Sequence, residues 1–193
     1  MTDKVIKKIS AKERLILAGI RVIEKNGIQG FSLRKAADAC GISCAAPYKH
    51  FKNKDEFLTK IIQYINDQWL ERQNKIIEKY EGDLRKQLVN ISIDYIDFLV
   101  ENPQYRSIIM IKDDSLSAEN NQIRYKISSK SQELIMAYCE MMKIDKKMEI
   151  EKTFIIRSLI YGAALMFDNG ELEYNQLNIE MIYQAIDHEF DLG

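Results

Sequence analysis

Tyr48, Lys49 and His50 stand in a row in the stretch Gly41-Ile-Ser-Cys-Ala-Ala-Pro-Tyr-Lys-His-Phe51. A phenol, an ammonium and an imidazole side by side can all donate hydrogen bonds to phosphate oxygens, and Lys54 adds a further positive charge nearby. Ahead of them, Cys44, Ala45 and Ala46 are small enough for a backbone to approach base edges closely. The chemistry of this stretch is polyanion contact, and its spacing implies a short, stiff helix. With Ser43 as N-cap, Pro47 falls at the fourth helical position, where it removes at most one backbone hydrogen bond and fixes its own φ.

The elements that must hold such a tip follow from capping signals and apolar spacing. Ser10-Ala-Lys-Glu13 is a capping box. It opens a helix with Leu15, Ala18, Gly19, Val22 and Ile23 on one stripe, stopping near Asn26-Gly27. Ser32 caps a short helix over 33–40, with Leu33, Ala36, Ala37 and Cys40 inward, and Gly41 ends it. The third helix is expected from Ser43 to Phe51. Asn53-Lys-Asp-Glu56 starts a long helix carrying Phe57, Leu58, Ile61, Ile62, Ile65 and Trp69 as far as about Tyr80. Two short helices joined through a glycine match the helix-turn-helix, whose second helix enters the DNA major groove.

Downstream, 84–101 is apolar on nearly all sides and reads as a central bundle helix, stopped by Asn102-Pro103, where a short helix begins. A polar loop is expected over 112–121. A helix then runs to about Lys143 with Leu134, Ile135, Tyr138, Met141 and Met142 buried, and two more follow over 146–168 and 176–190. No alternating strand pattern competes. The class is all-α: an N-terminal three-helix helix-turn-helix domain over 8–53, then a helical bundle over 54–193 for ligand binding and dimerisation.

Charge is divided to match. Residues 1–60 hold 13 lysines and arginines against 6 acidic residues, and the remainder holds 15 against 23. A basic first third on an acidic remainder places a polyanion partner on the first part. No run of about 18 apolar residues exists, so no membrane span is expected. The segment MTDKVIKKIS lacks the apolar core and cleavage site of a signal peptide, which makes a cytoplasmic location the expectation. Cys40, Cys44 and Cys139 do not make a disulfide framework. Cys40 and Cys44 with His50 lack the paired ligand sets of a zinc site, so neither metal nor cofactor is expected, and Cys40 is read as core and Cys44 as surface. His50 and His188 are the two histidines of the chain. No phosphate-cradling glycine loop or metal-binding His-Glu-x-x-His helix accompanies them, and a helical-bundle enzyme is the weaker alternative. A DNA-binding regulator without a small-molecule effector is the nearer one.

From Ser10 to Ile62 the chain resembles the DNA-binding domain of TetR/AcrR-family transcriptional regulators. The residues that carry the likeness are ILAGIRVIEKNGIQGFSLRKAADACGISCAAPYKHFKNKDEFL, above all the turn glycine, Tyr48-x-x-Phe51 and Lys54-x-Glu56-x-Leu58. The resemblance implies that Ser32, Arg34, Ser43, Cys44, Ala45, Tyr48, Lys49, His50 and Lys54 face DNA. Ala36 stands where the family has a larger aliphatic, implying light packing of that helix, and Pro47 replaces a common leucine. ENPQYRSIIM looks like the family's corner between its fifth and sixth helices, and RSLIYGAALMFDNGEL like its penultimate, dimer-forming helix.

Nine of the ten tyrosines follow residue 53, together with Trp69 and several methionines. Such residues line adaptable small-molecule pockets, so an apolar or aromatic effector is expected beside Trp69, Tyr95, Phe98, Phe154, Arg157 and Tyr161. Arg157, on an apolar helix one turn from Phe154 and Tyr161, is expected to be buried and paired. Small Gly162, Ala163 and Ala164 suggest close helix approach in a homodimer, with Leu165, Met166, Ile182 and Ile186 completing the interface. The partners expected are thus a double-stranded operator, a second copy and an effector, with no membrane.

Overall fold

The computed structural model describes residues 9–110 and 116–191. Among these residues every regular element is helical: α1 (Ala11–Asn26), α2 (Leu33–Cys40), a 3-10 turn (Pro47–Lys49), α3 (Lys54–Lys79), α4 (Leu84–Glu101), α5 (Pro103–Ile109), α6 (Ala118–Tyr125), α7 (Ser129–Met142), α8 (Lys146–Asp168) and α9 (Gln176–His188). No helix among them is long and apolar enough to cross a membrane.

The chain forms two compact units. One holds Met1–Ile65 with Gln104–Arg124, and the other Asn66–Pro103 with Tyr125–Gly193. These are drawn differently from the expected ranges 8–53 and 54–193, because α3 runs unbroken through residue 65 and the described residues between 104 and 124 fold with the N-terminal ones.

In the first unit, α1 packs on α2 around Leu15, Ala18, Ile20, Ile23, Leu33 and Ala37. Ala36 is fully buried in this packing. Gly19 is there for space. A Cβ on it would lie 2.8 Å from Ile61 Cδ1 and 3.3 Å from the Phe31 and Phe57 rings. The expected loop over 112–121 is shorter than its polar composition implies, since Ser117 caps α6 by accepting from Asn120 N at 3.2 Å. Residues 111–115 of that loop lie outside the described residues. Asn120 is fully buried, donating to Asp55 Oδ1 at 2.7 Å and accepting from Thr59 Oγ1 at 2.8 Å. This polar knot secures α6 to the first turns of α3.

In the second unit α4 is the central helix, packed by α7, α8 and α9. Its polar positions are committed inside the unit. Arg72 forms a two-pronged ion pair with Asp94 and reaches Glu101, while Gln87 donates to the carbonyls of Ile77 and Tyr80. The single helix expected up to Lys143 is divided by a 3-10 turn over Lys126–Ser128, and Met141 is exposed rather than buried.

Candidate nucleic-acid interface

The interface is built outward from two caps. Ser32 Oγ accepts from Lys35 N at 3.2 Å and starts α2. Gly41, at φ 66°, ends it: Gly41 N donates to Asp38 O and Ile42 N to Ala37 O, each at 3.1 Å. That paired arrangement needs a left-handed residue, which glycine adopts without strain. It turns the chain sharply out of α2 and into the stretch 43–51.

The α-helix expected over this stretch is not formed. Ser43 Oγ accepts from Ala45 N at 3.2 Å, Ala46 N donates to Ser43 O at 2.9 Å, and the regular element that follows is one 3-10 turn, Pro47–Lys49. Pro47 has no N–H to bond Ser43 O, and so short a helix cannot bear the loss of a turn-closing bond. Proline therefore starts the turn instead of sitting fourth in a helix. It is buried, and its carbonyl accepts from both His50 N and Phe51 N at 2.9 Å.

Pro47 and Phe51 point inward and lift the residues between them out. Tyr48 is 62% exposed, and Lys49 and His50 are exposed beside it. Ser43, Cys44, Ala45 and Arg34 are exposed too, while Ser32 is partly covered as a cap. Lys54 is partly committed to the protein, its Nζ donating to Gln29 O at 3.3 Å. Lys35, not singled out from sequence, braces the same loop through Gly30 O at 2.8 Å. The only sequence signal for it is its place in the first turn after a cap. Cys44 Sγ donates to Asp38 Oδ1 at 3.8 Å and Cys40 is half-buried. Among the described residues no group of three metal-ligating side chains comes together.

A short helix ended by a left-handed glycine, followed by an exposed aromatic-basic tip on a buried proline and phenylalanine, is the layout of a helix-turn-helix whose second helix is reduced to one 3-10 turn. Residues 15–61 match the family model for bacterial regulatory proteins of the tetR family. The HTH-type transcriptional regulator SAB2452 of Staphylococcus aureus is 23% identical over 173 residues, covering 89% of this chain and 88% of that protein. Residues 15–61 thus carry a DNA-binding module of the tetR type, and the chain is similar along most of its length to transcriptional regulators rather than to enzymes. Solved structures share its fold. A TetR-family regulator from Marinobacter aquaeolei superposes with a TM-score of 0.75 at 17% identity, over 92% of this chain and 94% of that one. FadR from Bacillus subtilis, solved in complex with stearoyl-CoA, gives 0.69 at 16% identity, over 92% and 96%.

The residues expected around an effector are only partly brought together. Trp69, Tyr95 and Phe98 form one cluster, Trp69 lying 4.7 Å from Tyr95 and 5.4 Å from Phe98 between ring centroids. Burial pushes the Tyr95 hydroxyl well above the usual phenol range, with Tyr161 adding to the rise and Arg157 opposing it, so all three are neighbours. Arg157 is not buried. It is exposed on α8, its guanidinium over the Tyr161 ring and its Nη2 donating to Tyr161 Oη at 3.3 Å. Of the apolar residues around it, Phe154 and Ile155 are exposed, whereas Ile160 is buried. Phe154 is 71% exposed and is no pocket wall within the chain. An open cleft of about 640 Å³ lies elsewhere in this unit, lined by Leu84, Arg85, Tyr138, Met141, Met142 and Phe190 among others. Nothing in the spacing of these residues marks it in the sequence.

The expected dimer residues also divide. Ala163, Ala164, Ile182 and Ile186 are buried within the chain, so Ala163, Ile182 and Ile186 cannot form an outer surface. They belong to the packing of α8 and α9 on α4. Leu165 and Met166 are exposed, and a Cβ on Gly162 would meet nothing within 4 Å. At helical spacing, Phe154, Ser158, Gly162 and Leu165 make one outward stripe, and Leu177 and Met181 make another on α9, with Leu177 77% exposed.

Proposed function

We propose that this protein is a cytoplasmic, homodimeric repressor of the TetR family that binds a pseudo-palindromic operator and is released by a small apolar or aromatic effector. The observation that carries the reading is the Tyr48–Lys49–His50 tip, exposed above buried Pro47 and Phe51 at the end of a glycine-ended short helix. In this reading residues 8–53 are the DNA-binding module. Arg34, Tyr48, Lys49 and His50 meet phosphates, Ser32 and Lys54 support the backbone that carries them, and Ser43, Cys44 and Ala45 lie over base edges.

Residues 54–193 hold the effector and the second copy. One half-site offers too little surface for strong specificity, so two copies on a two-fold axis are required. The outward apolar stripes of α8 and α9 supply an interface that water would otherwise cover at a cost. For the effector, Tyr95 and Tyr161 are the proposed wall, and the stearoyl-CoA held by the FadR neighbour supports an apolar molecule. Its entry requires the Trp69–Phe98 packing to open. Because α3 is continuous from Lys54 to Lys79, a shift of its later turns moves its first turns, which respaces the two reading turns.

The test is selection of an operator from random DNA, followed by salt titration. Lys49→Ala should weaken binding across sequences and lower the salt slope by about one. An unchanged slope and affinity in Lys49→Ala and Tyr48→Ala together would remove the tip from the interface.

A further inference from the structure

The stretch from Gly41 to Phe51 contains no Arg, Asn, Gln, Asp or Glu. Of the side chains that read base edges through hydrogen bonds in the major groove, the stretch keeps only Lys49, which lies beyond Pro47, and Ser43, whose Oγ already accepts from Ala45 N at 3.2 Å. What leads the turn instead is small and weakly polar. Ile42, Cys44 and Ala45 are exposed, the Ala45 N–H is taken by Ser43 Oγ at 3.2 Å, and the Cys44 thiol is directed to Asp38 Oδ1 at 3.8 Å. The Ala45 N–H and the Cys44 thiol are thus held within the protein. The turn has an apolar leading edge held in one geometry by buried Pro47.

The base feature in the major groove that a methyl group recognises is another methyl, the C5-methyl of thymine. We infer that Ala45, flanked by Ile42 and Cys44, reads thymine methyls, and that each operator half-site carries a thymine opposite this turn. Lys49 and Tyr48, beyond Pro47, hold the register through phosphates. Sequence choice is therefore made by apolar contact and shape more than by hydrogen-bond pairing. This rests on the operator-binding reading above.

The experiment uses the full-length protein and an operator selected from random DNA. Each thymine of the half-site is replaced in turn by deoxyuridine, which removes the methyl and keeps every hydrogen-bonding group. Affinity should fall about fourfold per half-site at one or two of these positions and stay level at the rest. Ala45→Gly should bind the thymine and deoxyuridine operators equally, and Ala45→Ser should narrow the difference. The ratio is internal to each variant, so a general loss of affinity does not mask it. Deoxyuridine tolerated at every position, or a thymine preference unchanged in Ala45→Gly, would overturn the inference while leaving operator binding intact. Selection that yields no operator would be a different failure, overturning the DNA-binding reading itself.

Discussion

Phe51 and Phe57 lie face to face, their ring centroids 3.9 Å apart and their planes within 5°. Phe51 closes the reading turn and Phe57 belongs to the first turns of α3, while Phe31 meets Phe57 edge-on at 5.1 Å. The direction in which Tyr48 and Lys49 project is therefore set by aromatic packing beneath them. Phe51→Ala should cost about 3–5 kcal/mol in the stability of the first unit and carry operator affinity down with it. Phe51→Leu should lose much less. Chemical denaturation followed by circular dichroism measures both, and a loss below about 1 kcal/mol for the alanine variant would show that the stack does not hold the turn.

The element starts were legible because caps have a defined chemistry. Ser10, Ser32 and Asn53 each accept the backbone N–H three residues on, at 3.1, 3.2 and 2.8 Å. The same signal at Ser43 misled, because a cap needs a helix after it and Pro47 withholds the bond that would extend one. Burial was legible wherever one stripe of a helix was apolar, as on α1. It failed on α8, which is apolar nearly all round. Spacing there groups Phe154 with Leu165 and Ala163 with Phe167, but cannot say which group meets the chain's own core. Arg157 was misread for the same reason. Asn120 gave no signal, since a buried asparagine is identified by its partners, and Asp55 and Thr59 are more than 60 residues away.

Asp97 offers a pH test within the second unit. Burial holds its carboxyl above the usual value of 3.8, opposed by the hydrogen bond it accepts from Tyr174 Oη at 2.9 Å. Asp94 and Glu101 add to the rise and Arg72 counters it. A carboxyl that titrates higher when folded favours the folded state fully only below its unfolded value, and that contribution is lost as pH rises through the folded one. At neutral pH its charge is a cost. Asp97→Asn keeps an acceptor for Tyr174 and removes the charge, so it should raise Tm at pH 7, with the gain shrinking as pH falls toward about 4. An equal gain at both values would mean that the charge is not the cause.

Gly162 separates the outer surface of α8 from its core. An added Cβ there meets nothing within 4 Å, so Gly162→Arg should leave the isolated chain folded while placing a long cation amid Phe154, Ser158 and Leu165. Sedimentation should then give monomers with native helicity and poor operator affinity. Ile186→Arg is the contrast. Ile186 is fully buried, and its replacement should unfold the second unit rather than merely dissociate a dimer. Gly162→Arg sedimenting as an intact dimer would rule out this face of α8 as the contact.

Trp69 is the one tryptophan of the chain, 2% exposed, with Tyr95 and Phe98 against it. Its emission is therefore a local probe of the proposed effector wall. A molecule entering beside Tyr95 must displace some of this cluster, because close-packed rings leave no room to share. Titration with a long-chain acyl-CoA, and separately with small aromatic compounds, should shift or quench Trp69 emission saturably for whichever class is the effector. The same compound should release the operator over the same concentration range, since coupling between two sites is reciprocal. Tyr161→Ala should alter the midpoint of both curves together. Operator release by a compound that leaves Trp69 emission unchanged would place the effector elsewhere, and the open cleft at Tyr138 and Met142 would be the next site to test.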